Sequence, residues 1–393
     1  MTGSTRATRS TGAVRSVGFV AVLVAACVAA AVVAGAPAGV GPGAAGTGAA
    51  TPAAGPASPG GGAASRFAPV PGPFAVEAMN LDWLDQDRNR QVPVRIYYPR
   101  REPGPFPVVL FSSGLGAGRN NLEFLGRHLA SHGYVSVHVQ HLGGDDQPAA
   151  DGGNTRAARL RAARDPRAGL TRLLDLVFAL DQVGALAASS PVLRGRIDLG
   201  AVAVGGNYLG AWTALAAAGL ATVGKDGEES SLPDPRVKAA LLLFPPPAGQ
   251  GGRMRFEHVK VPCLHVVTVP AGGGESAPQA AARRVAFDHI AGTDQVLVTA
   301  IAAAGAAAAP AGATAGAATA AVPDRTVSAA GRGGTGAASG PRRDPAMQDR
   351  VRSISTAFLD AYLRHDAAAK SWLAGGGLAA YLGDGFRVET RPK

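Results

Sequence analysis

The chain has 393 residues, a formal net charge of +10 and two cysteines. A chain of this length can bury about three quarters of its unfolded surface, so its stability need not depend on disulfides. Its basic charge would suit nucleic acid or an anionic membrane. However, no aromatic residues for base stacking lie among the arginines of 156–172. We therefore predict no nucleic-acid partner, and we expect these arginines, Arg172 included, to form a solvated helix face.

The first 35 residues have the pattern of an export signal or membrane anchor. Arginines precede an uninterrupted apolar run at 17–34, which small residues follow. The run is near the lower length limit for spanning a bilayer, so a retained anchor stays open. Cys27 lies in a lipobox-like context and is a candidate lipidation site. We expect an exported protein that is periplasmic, extracellular or anchored to the cell membrane.

Residues 36–66 are nearly all Ala, Gly, Pro, Ser and Thr, a composition typical of a flexible linker. A folded domain is predicted for 67–393. Within it, 302–345 is a low-complexity insertion with hardly a bulky residue to bury. Cys263 lies in a strand-like segment and is interpreted as a small core residue.

The domain begins with segments in which apolar and polar residues alternate, as they do in strands. Compact apolar runs follow. Phe74–Trp83 and Val92–Tyr98 predict an antiparallel hairpin. Pro107–Phe111 and Tyr134–Val139 predict buried strands, and the amphipathic pattern of Asn120–Ser131 predicts a helix between them. The segment forms a βαβ unit with an expected right-handed crossover.

Strands and helices continue to alternate along the rest of the chain. Further helices are predicted at Leu170–Leu186, Gln279–Ile290 and Ala346–Leu363, and further strands at Leu199–Val204, Val237–Phe244, Pro262–Val269 and Gln295–Ile301. The tail to Lys393 is expected to pack loosely or not at all. The pattern indicates an α/β fold with a mostly parallel, doubly wound sheet and an antiparallel N-terminal hairpin.

A glycine-rich turn follows the strand predicted at Leu199–Val204. Gly206-Asn-Tyr-Leu-Gly210 has the frame of G-x-S-x-G, in which a serine nucleophile sits on a strained turn from strand to helix. Tyr208 holds the serine position. The turn is therefore expected to keep the architecture of a nucleophile elbow without its usual nucleophile.

These features together resemble the dienelactone-hydrolase-like branch of the α/β hydrolases, near the chlorophyllases and platelet-activating-factor acetylhydrolases. The likeness covers Phe74–Leu373 without the insertion. It is carried by Val94-Arg-Ile-Tyr-Tyr-Pro99, Pro107-Val-Val-Leu-Phe-Ser-Ser-Gly-Leu-Gly116, Leu129-Ala-Ser-His-Gly-Tyr134, Gln140-His141 with Asp145 and Asp146, the helix of Asp181 and the elbow. The resemblance implies an α/β-hydrolase fold and a serine, acid and histidine triad.

The residues at the implied triad positions differ from that pattern. Tyr208 replaces the serine, the acid position falls near Ala271, and the histidine position falls near Gly305. Glu275 is the only acidic residue near the second position, and Ser113 replaces a histidine of the oxyanion loop. Since a triad acts as a unit, its loss predicts an inactive relative with a binding or envelope role.

Two alternatives remain open at this point. The backbone N–H groups of Leu115 and Leu209 are expected to survive as oxyanion-hole donors, beside which a small apolar or ester-like ligand could bind. Alternatively, Tyr208, with His141 as base and Glu275 nearby, could form a non-standard site for carboxylic ester hydrolysis. The remaining histidines form no metal-ligand spacing, so neither a metal nor a cofactor is predicted.

Overall fold

The computed structural model describes residues 66–114, 116–141, 166–223, 227–248, 253–270, 277–302 and 344–393. The predicted leader, the lipidation candidate Cys27, most of the linker and nearly all of the insertion lie outside these residues. Among the described residues, no helix is both long and apolar enough to cross a bilayer.

The helices and strands alternate along the described chain. The helices are α1 (Glu123–Ser131), α2 (Pro166–Ser189), α3 (Leu209–Ala217), α4 (Ala277–His289), α5 (Pro345–Leu363), α6 (Ala367–Ala374) and α7 (Gly376–Leu382). The strands are β1 (Val76–Asp85), β2 (Arg90–Pro99), β3 (Phe106–Ser112), β4 (Val135–Val139), β5 (Ile197–Asn207), β6 (Ala221–Val223), β7 (Glu229–Ser230), β8 (Val237–Leu243), β9 (Arg253–Arg255), β10 (Cys263–Pro270), β11 (Gln295–Ala302) and β12 (Phe386–Arg391).

Nine strands form the main sheet in the order β1-β2-β4-β3-β5-β8-β10-β11-β12. Neighbours from β4 to β11 pair in parallel, whereas β1–β2, β2–β4 and β11–β12 pair antiparallel. The predicted hairpin and the mostly parallel sheet are therefore confirmed. A second sheet of three short strands, β7-β6-β9, was not predicted.

Apolar side chains form a core on each face of the main sheet. On one face, residues of α2 and α3 pack against the sheet; on the other face, α1 and α5 do so. Cys263 is fully buried, and burial raises the pKa of its thiol to about 12. The interpretation of Cys263 as a core residue is therefore confirmed.

The C-terminal tail is part of the fold, and the prediction of loose packing was wrong. Trp372, Leu373 and Leu378 are buried in the core on the α5 face. Strand β12 then pairs antiparallel with β11 from Arg391 opposite Gln295 to Phe386 opposite Ala300. The tail is short and rich in glycine and alanine, so its few large apolar residues gave a weak periodic signal.

Candidate functional site

The elbow lies where β5 ends and α3 begins. Tyr208 stands between these elements with φ 51° and ψ −121°, a conformation that is strained for a residue with a Cβ. A Cβ added at Gly206 would lie 2.2 Å from the backbone oxygen of Gly210, and one at Gly210 would lie 2.1 Å from that of Ser112. Only glycine fits these two positions, so the sharp turn predicted from the sequence is present.

Tyr208 is held by its backbone and by the core. Its N–H donates to the carbonyl of Leu243 at 3.0 Å, and its half-buried side chain packs against the core on the α1 and α5 face. The preceding Asn207 is fully buried, and its Oδ1 accepts from Nδ2 of Asn121 at 2.7 Å. The elbow is therefore anchored on both sides of the tyrosine.

The loop after β3 lies against the elbow. Ser112 pairs in register with Gly206 of β5 and with Val139 of β4, so the carboxyl ends of three strands meet here. A Cβ at Gly114 would lie 3.4 Å from the backbone oxygen of Asn207. This is the sheet edge at which open α/β folds place their sites.

Of the two predicted oxyanion-hole donors, the structure describes one. Leu209 is the first residue of α3, where a backbone N–H has no acceptor within its own helix. Leu115 lies outside the described residues.

Beside the elbow, Ser112, His141 and Asp175 form a continuous chain of hydrogen bonds. His141 Nε2 is 2.8 Å from Ser112 Oγ, and His141 Nδ1 is 3.0 Å from Asp175 Oδ2. All three side chains are buried, Ser112 and Asp175 completely. The order of groups is that of a serine, histidine and acid triad, displaced from the elbow.

Two arginines also bind the carboxylate of Asp175. Arg90 donates from Nε to Oδ1 at 2.6 Å and from Nη2 to Oδ2 at 2.7 Å, and Arg88 donates to Oδ1 at 2.9 Å. Arg88 also pairs with Asp85. Such a bidentate contact fixes the carboxylate in one orientation.

Arg172 connects α2 to the loop after β3 and to α3. Its Nη2 donates to the carbonyl of Ser113 and, at 3.3 Å, to Ser112 Oγ; its Nε donates to Thr213 Oγ1 at 3.2 Å. Arg172 is only 5% exposed, so the prediction that it lies on a solvated face was wrong. We refer to Arg88, Arg90, Ser112, His141, Arg172 and Asp175 as the α2 network.

The α2 network shifts the pKa values of its members. Burial raises the pKa of Asp175, but hydrogen bonds from His141 and Arg90 outweigh this and lower it to about 2. Burial and the charge of Arg172 lower the pKa of His141 to about 4, and burial lowers that of Arg172 to about 10. At neutral pH the network therefore holds a carboxylate, charged arginines and an uncharged imidazole.

Within the described part of the chain, two polar atoms beside the elbow are buried without a hydrogen-bond partner. They are Oγ of Ser113, whose residue is 4% exposed, and Nδ2 of the fully buried Asn207. An unpartnered buried group costs about 1–3 kcal/mol of stability. In native proteins such groups usually bind water or a ligand.

The structure brings together only some of the residues that the sequence singled out. Tyr208 occupies the elbow, and His141 lies at the same sheet edge, but its ring contacts Ser112 and Asp175. Several other predicted positions lie outside the described residues, namely Leu115, Asp145, Asp146, Ala271, Glu275 and Gly305. Within the described part of the chain, no group of three His, Cys, Asp or Glu side chains is arranged to hold a metal.

Sequence reasoning missed Asp175 and misplaced Arg172. Both belong to the face of α2 that also buries Leu176, Ala179 and Val183. A charged residue on the apolar stripe of a helix was the signal that could have identified them, because buried charges in proteins are usually paired.

The strand order, the crossover helices and the elbow define the class of this protein, an α/β-hydrolase-like fold. A sequence model of the family described as platelet-activating factor acetylhydrolase, isoform II, matches residues 89–152, which run from the turn of the first hairpin to beyond β4. The resemblance predicted from the sequence is thereby confirmed over this stretch. No curated protein matches the chain.

Proposed function

We propose that this protein is an exported α/β-hydrolase relative that binds a small ligand at its elbow and performs no acyl transfer there. The observation that carries the proposal is Tyr208 at the nucleophile position of an otherwise intact elbow. A phenol has an ordinary pKa near 10, so it needs a base to become a nucleophile at neutral pH.

The positions of the histidines support this proposal. The chain has eight histidines, and all of them lie in the described residues. Seven make hydrogen bonds within the described part of the chain, and the partners of those bonds are residues other than Tyr208. His141 is the one at the sheet edge, and both of its ring nitrogens are engaged. Tyr208 is therefore expected to lack a histidine base.

A fluorophosphonate probe and a series of short-chain esters test the proposal on the full chain. We expect no adduct on Tyr208 and the same negligible turnover for the wild type and Tyr208→Phe. An adduct mapped to Tyr208 by mass spectrometry, or turnover that Tyr208→Phe abolishes, would overturn it.

The proposal that the protein is exported rests on the apolar run at 17–34 and on the arginines that precede it. Fractionation of cells that express the full chain tests it. We expect the protein in the envelope or the medium, and replacement of Val20 and Val22 by aspartate should retain it in the cytoplasm. A wild-type chain found only in the cytoplasm would refute export.

A second candidate function is ester hydrolysis by Ser112, favoured by its hydrogen-bond chain to His141 and Asp175. Ser112 Oγ would bond to the ester carbonyl carbon while its proton passes to His141 Nε2 and then to the leaving alcohol; water would then release the acid. It ranks second because Ser112 ends β3 and does not hold the nucleophile position of the elbow.

The same probe separates the two candidates. Hydrolysis by Ser112 predicts an adduct on that residue that Ser112→Ala removes and that the neighbouring Ser113→Ala leaves in place. The binding proposal predicts no adduct on Tyr208, Ser112 or Ser113.

A further inference from the structure

The α2 network holds more positive than negative charge. Three guanidinium groups, of Arg88, Arg90 and Arg172, face two carboxylates, of Asp85 and Asp175. The low pKa of His141 keeps its imidazole uncharged at neutral pH. Counted over the described residues alone, this largely buried cluster therefore has one positive charge in excess. An uncompensated buried charge is costly, so the arrangement favours an added anion.

Among the described residues of this cluster, Arg88 and Arg90 form ion pairs with carboxylates, whereas Arg172 forms none; Nη2 of Arg88 is also buried without a described partner. Asp175 is bound by Arg88 and Arg90, and Asp85 is bound by Arg88. The described hydrogen bonds of Arg172 go instead to neutral oxygens of Ser112, Ser113 and Thr213, through Nε and Nη2. Within the described part of the chain, Nη1 of Arg172 makes no hydrogen bond and could donate to a ligand.

Donor groups without acceptors lie next to Arg172. The carbonyl of Ser113 binds Arg172, while the Oγ of the same residue has no partner. Gly114 then brings the loop against Asn207, whose Nδ2 also has no partner. The first turn of α3 adds backbone N–H groups and the positive end of a nine-residue helix.

We propose that this cluster binds the carboxylate of a small organic acid, with Arg172 supplying the charge and Ser113, Asn207 and the start of α3 supplying hydrogen bonds. A guanidinium, an amide N–H₂ group and backbone N–H groups only donate, and a hydroxyl can donate, so the ligand must be an acceptor. A carboxylate is planar and presents two acceptor oxygens to a guanidinium. The inference names the ligand class of the binding role proposed above and rests on it.

Binding can be tested by titrating the full chain with acetate, butyrate and octanoate, using calorimetry and thermal unfolding. The matched neutral probes are acetamide and butyramide, and inorganic phosphate tests a different anion. We expect saturable binding of at least one carboxylate, with stabilisation that grows with its concentration, and no effect of the amides. Equal binding of acid and amide, or binding of phosphate alone, would overturn the proposal.

Variants then test the residues. Arg172→Gln should weaken carboxylate binding at least tenfold, Arg172→Lys should retain part of it, and Ser113→Ala should weaken it a few-fold. Arg236→Gln is the matched control, because Arg236 precedes β8 at the opposite edge of the sheet and pairs with Asp234. If Arg172→Gln does not fold, Arg172→Lys and Ser113→Ala still test the site. A carboxylate affinity that is unchanged in both variants would refute the site.

The chain could itself supply the anion, and Asp145 and Asp146 are the candidates. The double variant Asp145→Asn with Asp146→Asn should bind the carboxylate as the wild type does. Binding that appears only in the double variant would contradict an external ligand. The two proposals can fail separately: an adduct on Tyr208 refutes the inactive elbow and leaves carboxylate binding to be judged by its own titration.

Discussion

Two neighbouring regions at the carboxyl edge of the sheet differ in how their polar groups are paired, although Nη2 of Arg88 in the α2 network is also buried without a partner among the described residues. In the α2 network, Asp175 binds two arginines and His141, and His141 also binds Ser112. At the elbow the backbone is equally well defined, yet Ser113 Oγ and Asn207 Nδ2 are buried without partners. This difference is consistent with our proposal, in which the network maintains the fold and the unpartnered groups beside the elbow bind a ligand.

The largest expected effect is on the centre of the α2 network. Asp175→Ala would leave Arg88, Arg90 and His141 without their shared partner, so we expect the free energy of unfolding to fall by about 3–5 kcal/mol. Denaturant unfolding measures this. Asp181→Ala is the matched control on the same helix, because Asp181 is an exposed ion-pair partner, and it should cost less than about 1 kcal/mol. Similar losses in the two variants would show that the network is not structural.

Acid should weaken the same network through His141. Its folded pKa is about 4, below the ordinary value of 6.5, so between these values the unfolded chain binds the proton that the folded chain does not. Stability is therefore lost as the pH falls from 6.5 to 4, by about 1.4 kcal/mol per pH unit. Asp175, with a pKa of about 2, stays charged throughout this window.

The variant His141→Gln isolates this effect, because burial also lowers the pKa of His128, His138 and His265. The free energy of unfolding of the variant should depend less steeply on pH, by the equivalent of one proton. Identical slopes for the variant and the wild type between pH 6.5 and 4 would contradict an uncharged His141.

The elbow backbone should be sensitive to a single added carbon. Gly210→Ala places a Cβ 2.1 Å from the backbone oxygen of Ser112, so we expect a loss of about 1–3 kcal/mol or more. Gly184→Ala is the control, since a Cβ there would lie no closer than 4.0 Å to a neighbour, and in a helix it should stabilise by about 0.5–1 kcal/mol. A neutral Gly210→Ala would mean that the turn is looser than described.

The smallest effects should distinguish two adjacent serines. Ser112→Ala removes the hydroxyl that binds His141 and Arg172 and should cost about 1–3 kcal/mol. Ser113→Ala removes a hydroxyl without a partner and should be neutral or slightly stabilising in the absence of ligand. A larger loss for Ser113→Ala would reverse the comparison between the two regions.

The sequence was sufficient to predict the main sheet except for its last strand, β12, because the other strands are compact or alternating apolar runs and the elbow is marked by glycines that the turn requires. It was insufficient for the α2 network. Ser112, His141 and Asp175 are about 30 residues apart from one to the next, and none of them shows its partner locally. Arg172 was misplaced because a charged side chain on a helix was taken as solvated, although its neighbours on that face are apolar.

The central claim is that the elbow keeps its architecture without a base to activate it. Ester turnover by Tyr208→Ser on the full chain, with the wild type and Tyr208→Ala as references, tests this most directly. We expect the serine variant to fold and to remain as inactive as both references, because no hydrogen bond within the described part of the chain joins a histidine to Tyr208. A gain of several orders of magnitude in kcat/KM on introducing the serine would contradict the claim.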